Sequence, residues 1–374
     1  MMVPEYIPNI VGGGGYVYRN LVENYKKLNH EVIVVYGDYA STGFFDLPTS
    51  YVKDDVLFYK LPEFPTPEKL SFLKTVLPIN LFGILYLFYI FLKHRPAIAH
   101  LHGYGLISIN IFAFFCIIFN VPYVFTLHGY PHTQSFYTGV IKIAWDLYVK
   151  MIMNPTLYFA KKVVGVSKFI TEDERNIKKH SSQTIFNGFR FEDFESINQK
   201  FSIREKHKIS NDSIICFSIG RIIEMKGFDI FIEKMKTLPS NLYYLIAGDD
   251  LGHKEYLLSL IKKHNLEERV IFLGYLNLEE KKNYYSQSDF VVIPSRREPF
   301  GLIALEAAYY GKPIIYNPVG GLVEVLEEYD NKIDINKAFD LSISKDIDSK
   351  KFIEKFKYFT IAQEYIKIFE QYVR

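Results

Sequence analysis

Short apolar runs, rich in β-branched residues, alternate with segments of helical spacing along almost the whole chain. In the first half the apolar runs are Glu31–Tyr36, Ala97–Leu101, Tyr123–Leu127, Lys162–Val166 and Thr184–Phe186. In the second half they are Ser213–Ile219, Leu242–Ala247, Val270–Leu273, Phe290–Ile293 and Pro313–Tyr316. Continuous apolar runs are typical of strands buried on both faces of a parallel sheet. The pattern therefore predicts an α/β protein with two doubly wound sheets, each covered by helices on both faces.

A polar segment separates the two alternations. Glu192–Asn211 is rich in Lys, Glu, Ser and Asn and has no strong period. We therefore expect an N-terminal domain over residues 1–195 and a C-terminal domain over residues 205–350. A length of 374 residues fits two domains. Apolar residues at helical spacing in Phe352–Val373 predict a final helix. Because ligands bind at the carboxyl ends of strands in such sheets, the cleft between the two domains is the expected site.

Two longer apolar strings, Val76–Leu92 and Leu106–Val121, raise the question of a membrane span. Asn and Pro or Gly residues interrupt or end both strings, whereas a spanning helix needs about 20 uninterrupted apolar residues. Each string also precedes a predicted strand. We favour two helices buried against a sheet. The alternative is a partly exposed aromatic surface that docks on a bilayer, and a true span is the least favoured.

Charge and cysteine content narrow the class of protein. Lys plus Arg is 44 and Asp plus Glu is 42, so the formal net charge is +2. This balance gives no whole-molecule attraction to nucleic acid, and we expect no nucleic-acid partner. Two cysteines, Cys116 and Cys216, cannot build a disulfide framework or a four-cysteine zinc site. Met1–Ile10 lacks the basic region of a signal peptide, so we expect a cytoplasmic protein.

Two cations follow the predicted strand Ser213–Ile219, in the pattern Gly220-Arg221-x4-Lys226-Gly227. Arginine offers a planar fork of donors, and lysine offers a mobile point charge. At the carboxyl end of a strand, beside the start of a helix, this pair suits a diphosphate. The alternative is two solvated surface charges.

The segment with the most candidate binding residues follows the predicted strand Phe290–Ile293. It contains Glu298, Phe300, Gly301 and Glu306. We expect a helix to begin near Phe300, with Gly301 letting backbone amides at the helix start face a ligand. One carboxylate on the loop and another on the helix could line the same pocket. Such carboxylates accept hydrogen bonds from sugar hydroxyls and from a ribose diol. The alternative is an ordinary helix with a solvated Glu306.

Two weaker candidates lie in the first half. Gly12–Gly15 falls between a short predicted strand and a helix, where glycine lets the backbone approach a phosphate closely. The run matches neither the dinucleotide-binding glycine motif nor a P-loop, and a plain turn is the alternative. His128 follows Tyr123–Leu127 and could donate to a sugar hydroxyl or to developing charge. No carboxylate or cysteine completes a recognisable ligand spacing around the neighbouring histidines, so we expect no metal.

Taken in order, these segments resemble glycosyltransferase family 4, which groups retaining enzymes of the GT-B fold. The spacing Glu298-x7-Glu306, with Pro-Phe-Gly-Leu after the first glutamate, is similar to the signature of the family. Further similar segments are the glycines Gly12 and Gly13, Asn29–Val35, Leu127–Gly129, Ser167–Phe169, Phe186–Phe194, Gly220–Ile232, Leu245–Asp250 and Gly311–Leu326. The resemblance runs from Met1 to about Leu326, nearly the whole chain.

The resemblance implies two Rossmann-like domains that face each other across a cleft, with a C-terminal helix in residues 356–374 crossing back onto the first. It also implies a nucleotide-sugar donor. Arg221 and Lys226 would neutralise the diphosphate of that donor, so that no metal or other cofactor is required. Glu306 would bind the ribose hydroxyls, and Glu298 would act as a catalytic residue at the donor sugar.

The remaining roles also come from the resemblance. Backbone amides around Phe300, Gly301 and Leu302 would help to place the sugar and the phosphate. Gly12 and Gly13 would close over the diphosphate, and His128 would lie near the primary hydroxyl of the sugar. The acceptor would attack from the side of the leaving group, with a donor phosphate oxygen as base, so that the anomeric configuration is retained.

The expected function is transfer of a sugar to a glycan or a lipid-linked acceptor, by a protein that is peripheral on the inner face of the cell membrane. Two alternatives remain open. A nucleotide-sugar epimerase of the same fold would convert the donor without an acceptor. A non-catalytic remnant would bind nucleotide or glycan only.

Two departures from the family pattern stand out. Asn29 replaces the usual glycine, and Arg296-Arg297 makes the loop before Glu298 more basic than usual. One hypothesis is that these arginines face an anionic acceptor such as a phosphate-linked lipid. A solvated pair of arginines is favoured over it.

Overall fold

The structure is a computed structural model that describes residues 1–3, 13–38, 46–62, 80–130, 139–173, 175–195, 201–337 and 349–373. The chain forms two compact units, Met1–Gly188 together with Tyr358–Arg374, and Phe189–Lys357. Each unit is built on a largely parallel sheet flanked by helices. The two doubly wound sheets that the sequence predicts are therefore confirmed.

The first unit contains an eight-stranded sheet within the described residues. Its strands are β1 (Met2–Val3), β2 (Ile33–Asp38), β3 (Thr49–Lys53), β4 (Val56–Pro62), β5 (Ala99–His102), β6 (Tyr123–Leu127), β7 (Lys162–Gly165) and β8 (Gln183–Thr184). Their order across the sheet is β3-β4-β2-β1-β5-β6-β7-β8. Neighbouring strands are parallel except for the antiparallel hairpin of β3 and β4. The sequence patterns missed that hairpin.

Helices connect these strands: α1 (Gly13–Lys27), α2 (Leu81–His94), α3 (Ile107–Ile118), α4 (Gly139–Tyr148), α5 (Asn154–Phe159) and α6 (Lys168–Thr171). A π-helical turn, Val149–Met153, joins α4 to α5. The crossovers that contain α2, α3 and α4–α5 all advance in the same direction across the sheet. Right-handed crossovers therefore place these helices on one face, where α2 contacts α3 and α3 contacts α5. The crossover through α1 advances the opposite way, so α1 lies on the other face.

Local side-chain chemistry fixes several helix ends. The side chain of Asn80 accepts a hydrogen bond from the Gly83 amide at 2.9 Å and caps the start of α2. Arg95 ends that helix in the left-handed conformation, with φ 44°. Asn29, just after α1, has φ 63°. Asn is one of the few residues other than glycine that tolerate this conformation, so its departure from the family pattern leaves the turn intact.

The two apolar strings form α2 and α3, and each helix has one buried and one exposed side. Phe91 is 1% exposed and packs against Phe112, with ring centroids 5.0 Å apart. Phe88, on the same helix, is 47% exposed. The interpretation as helices buried against the sheet thus holds for one side only. Among the described residues, no helix combines the length and the apolarity that crossing a bilayer requires.

The second unit contains a six-stranded, fully parallel sheet in the part of the chain that is described. Its strands are β9 (Ile214–Ile219), β10 (Leu242–Ala247), β11 (Val270–Gly274), β12 (Phe290–Ile293), β13 (Ile314–Tyr316) and β14 (Lys332–Asp334). The order is β11-β10-β9-β12-β13-β14. Numbered within the unit this is 3-2-1-4-5-6, the order of dinucleotide-binding Rossmann domains.

The helices of the second unit are α7 (Ile203–His207), α8 (Phe228–Lys234), α9 (Lys254–Lys263), α10 (Leu278–Gln287), α11 (Leu302–Tyr309), α12 (Gly321–Val325) and α13 (Ser349–Glu354). One core lies between the sheet and the helices on one of its faces, where Phe231, Tyr244, Leu257 and Val292 are buried together. Asn277 and Glu280 form a capping box that fixes the start of α10. This rigid framework carries the loops at the carboxyl ends of the strands.

The last helix, α14 (Tyr358–Glu370), belongs to the first unit and contacts α1. Its apolar side is buried, including Ile361, Tyr365 and Ile368. The hydroxyl of Tyr365 accepts a hydrogen bond from Thr126 Oγ1 on β6 at 3.2 Å. The C-terminal helix thus packs against the sheet of the first unit.

Candidate active site

Strand order in the second unit changes direction between β9 and β12, and the loops after these two strands hold the residues predicted to bind donor. In open α/β sheets such a switch point is where ligands bind. The two loops are joined closely, because the Arg296 amide donates to the Met225 carbonyl at 2.9 Å. Gly227 has φ 65°, and a Cβ there would lie 2.1 Å from the carbonyl oxygen of Pro294. Only glycine therefore fits at the point where the loops meet.

The structure brings Lys226 and Glu298 together. Lys226 Nζ lies 2.7 Å from Glu298 Oε2, and the two side chains are only 20% and 11% exposed. The carbonyl of Glu298 accepts from the Gly321 amide at 2.9 Å, which ties the loop to the start of α12. Shielding from water makes the attraction within this pair stronger than in a surface pair. The predicted diphosphate cation and the predicted sugar carboxylate thus lie in contact, although 72 residues separate them in sequence.

Glu306 lies on α11 and is held by two residues of α10 that the sequence analysis did not single out. Tyr285 donates its hydroxyl to Oε2 at 2.8 Å, and Lys281 Nζ contacts Oε1 at 2.7 Å. Burial and the nearby Glu306 charge raise the pKa of Tyr285 well above its usual value, so the phenol stays protonated. In the sequence, Lys281 and Tyr285 are four residues apart, which places them on one face of a helix. That spacing does not indicate which residue they contact.

The loop before α11 differs in detail from expectation. The helix begins at Leu302, two residues after the expected start near Phe300. Gly301 precedes it with φ 104°, and a Cβ there would lie 2.8 Å from Leu322 Cδ1. Phe300 is buried, with its ring centroid 6.1 Å from that of Phe356. Arg221, two residues after the end of β9, is exposed.

Arg296 is partly exposed to solvent and is also paired with a carboxylate. Its guanidinium binds both carboxylate oxygens of Asp229, at 2.7 and 2.5 Å, and also donates to the Glu224 carbonyl at 2.9 Å. The interpretation as a solvated charge therefore holds only in part for Arg296, whose side chain is 37% exposed but is also held in an ion pair. Bidentate pairs of this kind fix geometry as well as charge, so Arg296 anchors the loop before Glu298 to α8. This engagement also argues against Arg296 facing an acceptor.

In the first unit, His128 follows β6 and forms a pair with His102 at the end of β5. His128 Nε2 lies 2.9 Å from His102 Nδ1, and the Tyr18 ring packs against both imidazoles. Burial lowers the pKa of His128 to about 4 and keeps it neutral at physiological pH. His102 is fully buried, and within the described residues its Nε2 has no hydrogen-bond partner. A neutral His128 can still donate or accept one hydrogen bond through Nδ1.

His100, on β5, is buried, and both of its ring nitrogens lie near hydroxyl groups. Its Nδ1 lies 3.1 Å from the Tyr25 hydroxyl and its Nε2 lies 2.8 Å from Thr126 Oγ1. Gly13 is the first residue of α1, and Gly12 lies outside the described residues. Over the described ranges, no group of three or more His, Cys, Asp or Glu side chains is arranged to hold a metal ion.

Two Rossmann-like units, the second with charged residues at its switch point, fit the class of GT-B glycosyltransferases. The family model described as Glycosyltransferase Family 4 matches residues 11–192, and that described as Glycosyl transferases group 1 matches residues 199–355. The chain belongs to glycosyltransferase family 4, and it is a glycosyltransferase with the GT-B fold.

Individual relatives agree with this assignment. The chain is 25% identical to an uncharacterized glycosyltransferase of Methanocaldococcus jannaschii, over 99% of this chain and 97% of that one. It is 29% identical to the O-antigen biosynthesis glycosyltransferase WclY of Escherichia coli, over 54% and 56% of the two chains. Among solved structures, Anabaena HepE in complex with UDP and glucose has a TM-score of 0.68 at 18% identity, over 99% and 98% of the chains.

Proposed function

We propose that this glycosyltransferase transfers a sugar from a nucleotide-sugar donor to a glycan or lipid-linked acceptor, with retention of the anomeric configuration and without a metal ion. The observation that carries the proposal is the 2.7 Å contact between Lys226 and Glu298 at the switch point between β9 and β12. A cation for the departing diphosphate and a carboxylate for sugar hydroxyls then lie side by side.

In the proposed reaction the bond between the anomeric carbon and the diphosphate breaks while the acceptor oxygen attacks from the same side. Arg221 and Lys226 stabilise the negative charge that develops on the diphosphate. A donor phosphate oxygen takes the proton of the acceptor hydroxyl, so no protein nucleophile is needed. Glu298 orients the donor sugar by accepting from its hydroxyls.

Glu306 is proposed to bind the ribose. A carboxylate has about four lone-pair sites, and Tyr285 and Lys281 use one on each oxygen. The remaining sites can accept from the two hydroxyls of a ribose diol. The other proposed contacts are the backbone amides around Phe300, Gly301 and Leu302, the glycines Gly12 and Gly13, and a hydrogen bond from His128 to the sugar.

The named relatives support the choice of substrates. HepE is described in complex with UDP and glucose, and WclY is described as acting in O-antigen biosynthesis. By analogy we propose a nucleotide-sugar donor and an acceptor destined for a surface glycan. We further propose that the protein works on the inner face of the cell membrane, where lipid-linked acceptors are accessible.

Nucleotide release is the first test. UDP-, GDP- and ADP-sugars are each incubated with the protein in the presence of a metal chelator, with and without a lipid extract from the source cells. We expect release from one donor that increases with the extract, and a product of unchanged anomeric configuration by NMR. Donor isomerised without acceptor would indicate the epimerase, and binding without turnover would indicate the remnant. Release only after metal is added would refute the metal-free mechanism.

A matched pair of variants tests the ribose contact. Glu306→Gln keeps the shape of the side chain but loses the charge, so we expect kcat/KM to fall about tenfold to a hundredfold. Glu268→Gln, at an exposed site before β11, is the matched control and should keep the parental rate. Equal rates for Glu306→Gln and the parent would contradict the proposed role.

A further inference from the structure

The face of the first unit that carries α2, α3, α4 and α5 exposes an unusual amount of apolar side chain. Leu85 is 59% exposed on α2, Phe114 is 59% exposed on α3, and Met151 is 66% exposed in the π-helical turn. Leu147 on α4 and Phe159 on α5 are each 52% exposed. We call this set of exposed side chains the α2–α5 surface. Proteins that work only in water rarely expose apolar surface in such continuous patches.

The helices that carry the α2–α5 surface pack side by side. All of its helices lie on one face of the sheet, and α2 contacts α3 while α3 contacts α5. The Phe88 ring of α2 lies 6.5 Å from that of Phe115 and 5.5 Å from that of Phe119. The exposed Phe88 ring therefore packs on aromatic residues of and just after α3, which joins the exposed sides of the two helices.

Charge is segregated in the same part of the chain. Residues 80–171 contain a single carboxylate, Asp146, although the whole chain balances 44 basic residues against 42 acidic ones. The basic residues of this stretch are Lys93, Arg95, Lys142, Lys150, Lys161, Lys162 and Lys168. Lys93 and Arg95 follow the exposed side of α2, Lys150 lies between Leu147 and Met151, and Lys161 follows α5, and all four are exposed.

We infer that the α2–α5 surface docks on a bilayer that contains anionic lipid. Exposed apolar side chains interspersed with and flanked by lysines fit the boundary between acyl chains and negatively charged headgroups. A second copy of the chain fits less well, because a two-fold contact would bring these cations against one another. The inference deepens the proposed action at a membrane by naming the surface and the lipid charge.

A natural fluorescent probe is available for testing this inference. Its single tryptophan, Trp145, lies on α4 with its ring 5.5 Å from that of Tyr148. The unmodified protein is mixed with vesicles of phosphatidylcholine alone or of phosphatidylcholine with phosphatidylglycerol. We expect co-sedimentation and a blue shift of the Trp145 emission with the anionic vesicles. Both effects should weaken as salt is added, because salt screens the attraction to the headgroups.

Paired variants locate the contact. Leu147→Ser with Met151→Ser keeps Trp145 and should lower the affinity for anionic vesicles about tenfold or more, because two apolar insertions are lost. Tyr256→Ser with Leu258→Ser, which replaces exposed apolar residues of α9 in the second unit, is the matched control and should bind like the parent. Thermal unfolding followed by circular dichroism establishes that each variant is folded.

A charge variant keeps the test decisive if the serine variant does not fold. Lys150→Glu with Lys161→Glu should abolish the preference for anionic vesicles, whereas Lys262→Glu with Lys263→Glu on α9 should not. Failure of the parent to bind either vesicle would overturn the inference, as would equal binding by the parent and by folded variants of the α2–α5 surface. Concentration-dependent dimerisation by light scattering instead of lipid binding would also overturn it. The binding assay contains no donor, so a failure of docking is a different result from a failure of transfer.

Discussion

The two signature glutamates, Glu298 and Glu306, contact different side chains, and these contacts determine how each carboxylate can bind a ligand. Glu298 meets a cation from the neighbouring loop, whereas Glu306 meets a phenol and an ammonium from α10. A carboxylate already held by two donors has little freedom to rotate. Its remaining lone pairs are therefore directed before a ligand arrives, and less entropy is lost on binding.

Tyr285→Phe tests this orientation of Glu306. The variant removes one hydrogen bond to a charged group, so we expect the donor KM to rise about tenfold while the fold is kept. Tyr284→Phe is the matched control, because the Tyr284 hydroxyl lies 2.8 Å from His207 Nε2 and not at the site. Steady-state kinetics measures both. Equal donor KM values for the two variants would show that Tyr285 does not orient the carboxylate.

Among the structural elements, the β3–β4 hairpin is the one that the sequence patterns missed. Aromatic residues and prolines surround this segment in the sequence. A readable signal was nevertheless present in its two-residue turn, where Asp54 and Asp55 have φ 49° and 55°. Positive φ at both central residues defines a type I′ turn, which suits the twist of a two-stranded hairpin and tolerates Asp.

Asp55→Gly should stabilise the hairpin, because glycine adopts positive φ without the steric cost that a side chain carries. We expect the free energy of unfolding to rise by about 0.5 kcal/mol, measured by urea titration. The substitution also removes a 3.8 Å ion pair with Lys26, but the Asp55 side chain is 99% exposed, and such surface pairs contribute little to stability. Asp55→Val places a β-branched residue in the same conformation and should destabilise the protein. A Val variant as stable as the parent would contradict the type I′ assignment.

For the whole molecule, the near-zero net charge does not reveal two local features, one strongly basic and one uncharged. One is the basic stretch from residue 80 to residue 171, which contains one carboxylate. The other is a cluster of neutral histidines, His100, His102 and His128, whose pKa values burial lowers. Net charge reports neither, because it sums over positions that lie in different surroundings.

The histidine cluster predicts acid sensitivity. His128 has a pKa of about 4 when folded, against 6.5 for the ordinary group, so the unfolded chain binds more protons between these values. Stability is therefore complete above about pH 6.5 and falls as the pH drops towards 4, by about 2 kcal/mol for this partly exposed ring. Urea titrations at neutral pH and at about pH 5 measure the change. His128→Asn should lose less stability on acidification, and an equal loss would contradict the shifted pKa.

The sequence by itself determined the α/β class, most strands, and the residue types at the ends of β9 and β12. These follow from short-range rules, since apolar period and the placement of glycine are local properties of a chain. The bonds of Arg296 to Asp229 and of Glu306 to Tyr285 were decided only by the tertiary structure. So was the exposure of Phe88 beside buried Phe91, because the pattern of α2 is apolar all round. Such facts depend on which elements become neighbours, and that is set by the packing of the whole unit rather than by any single segment.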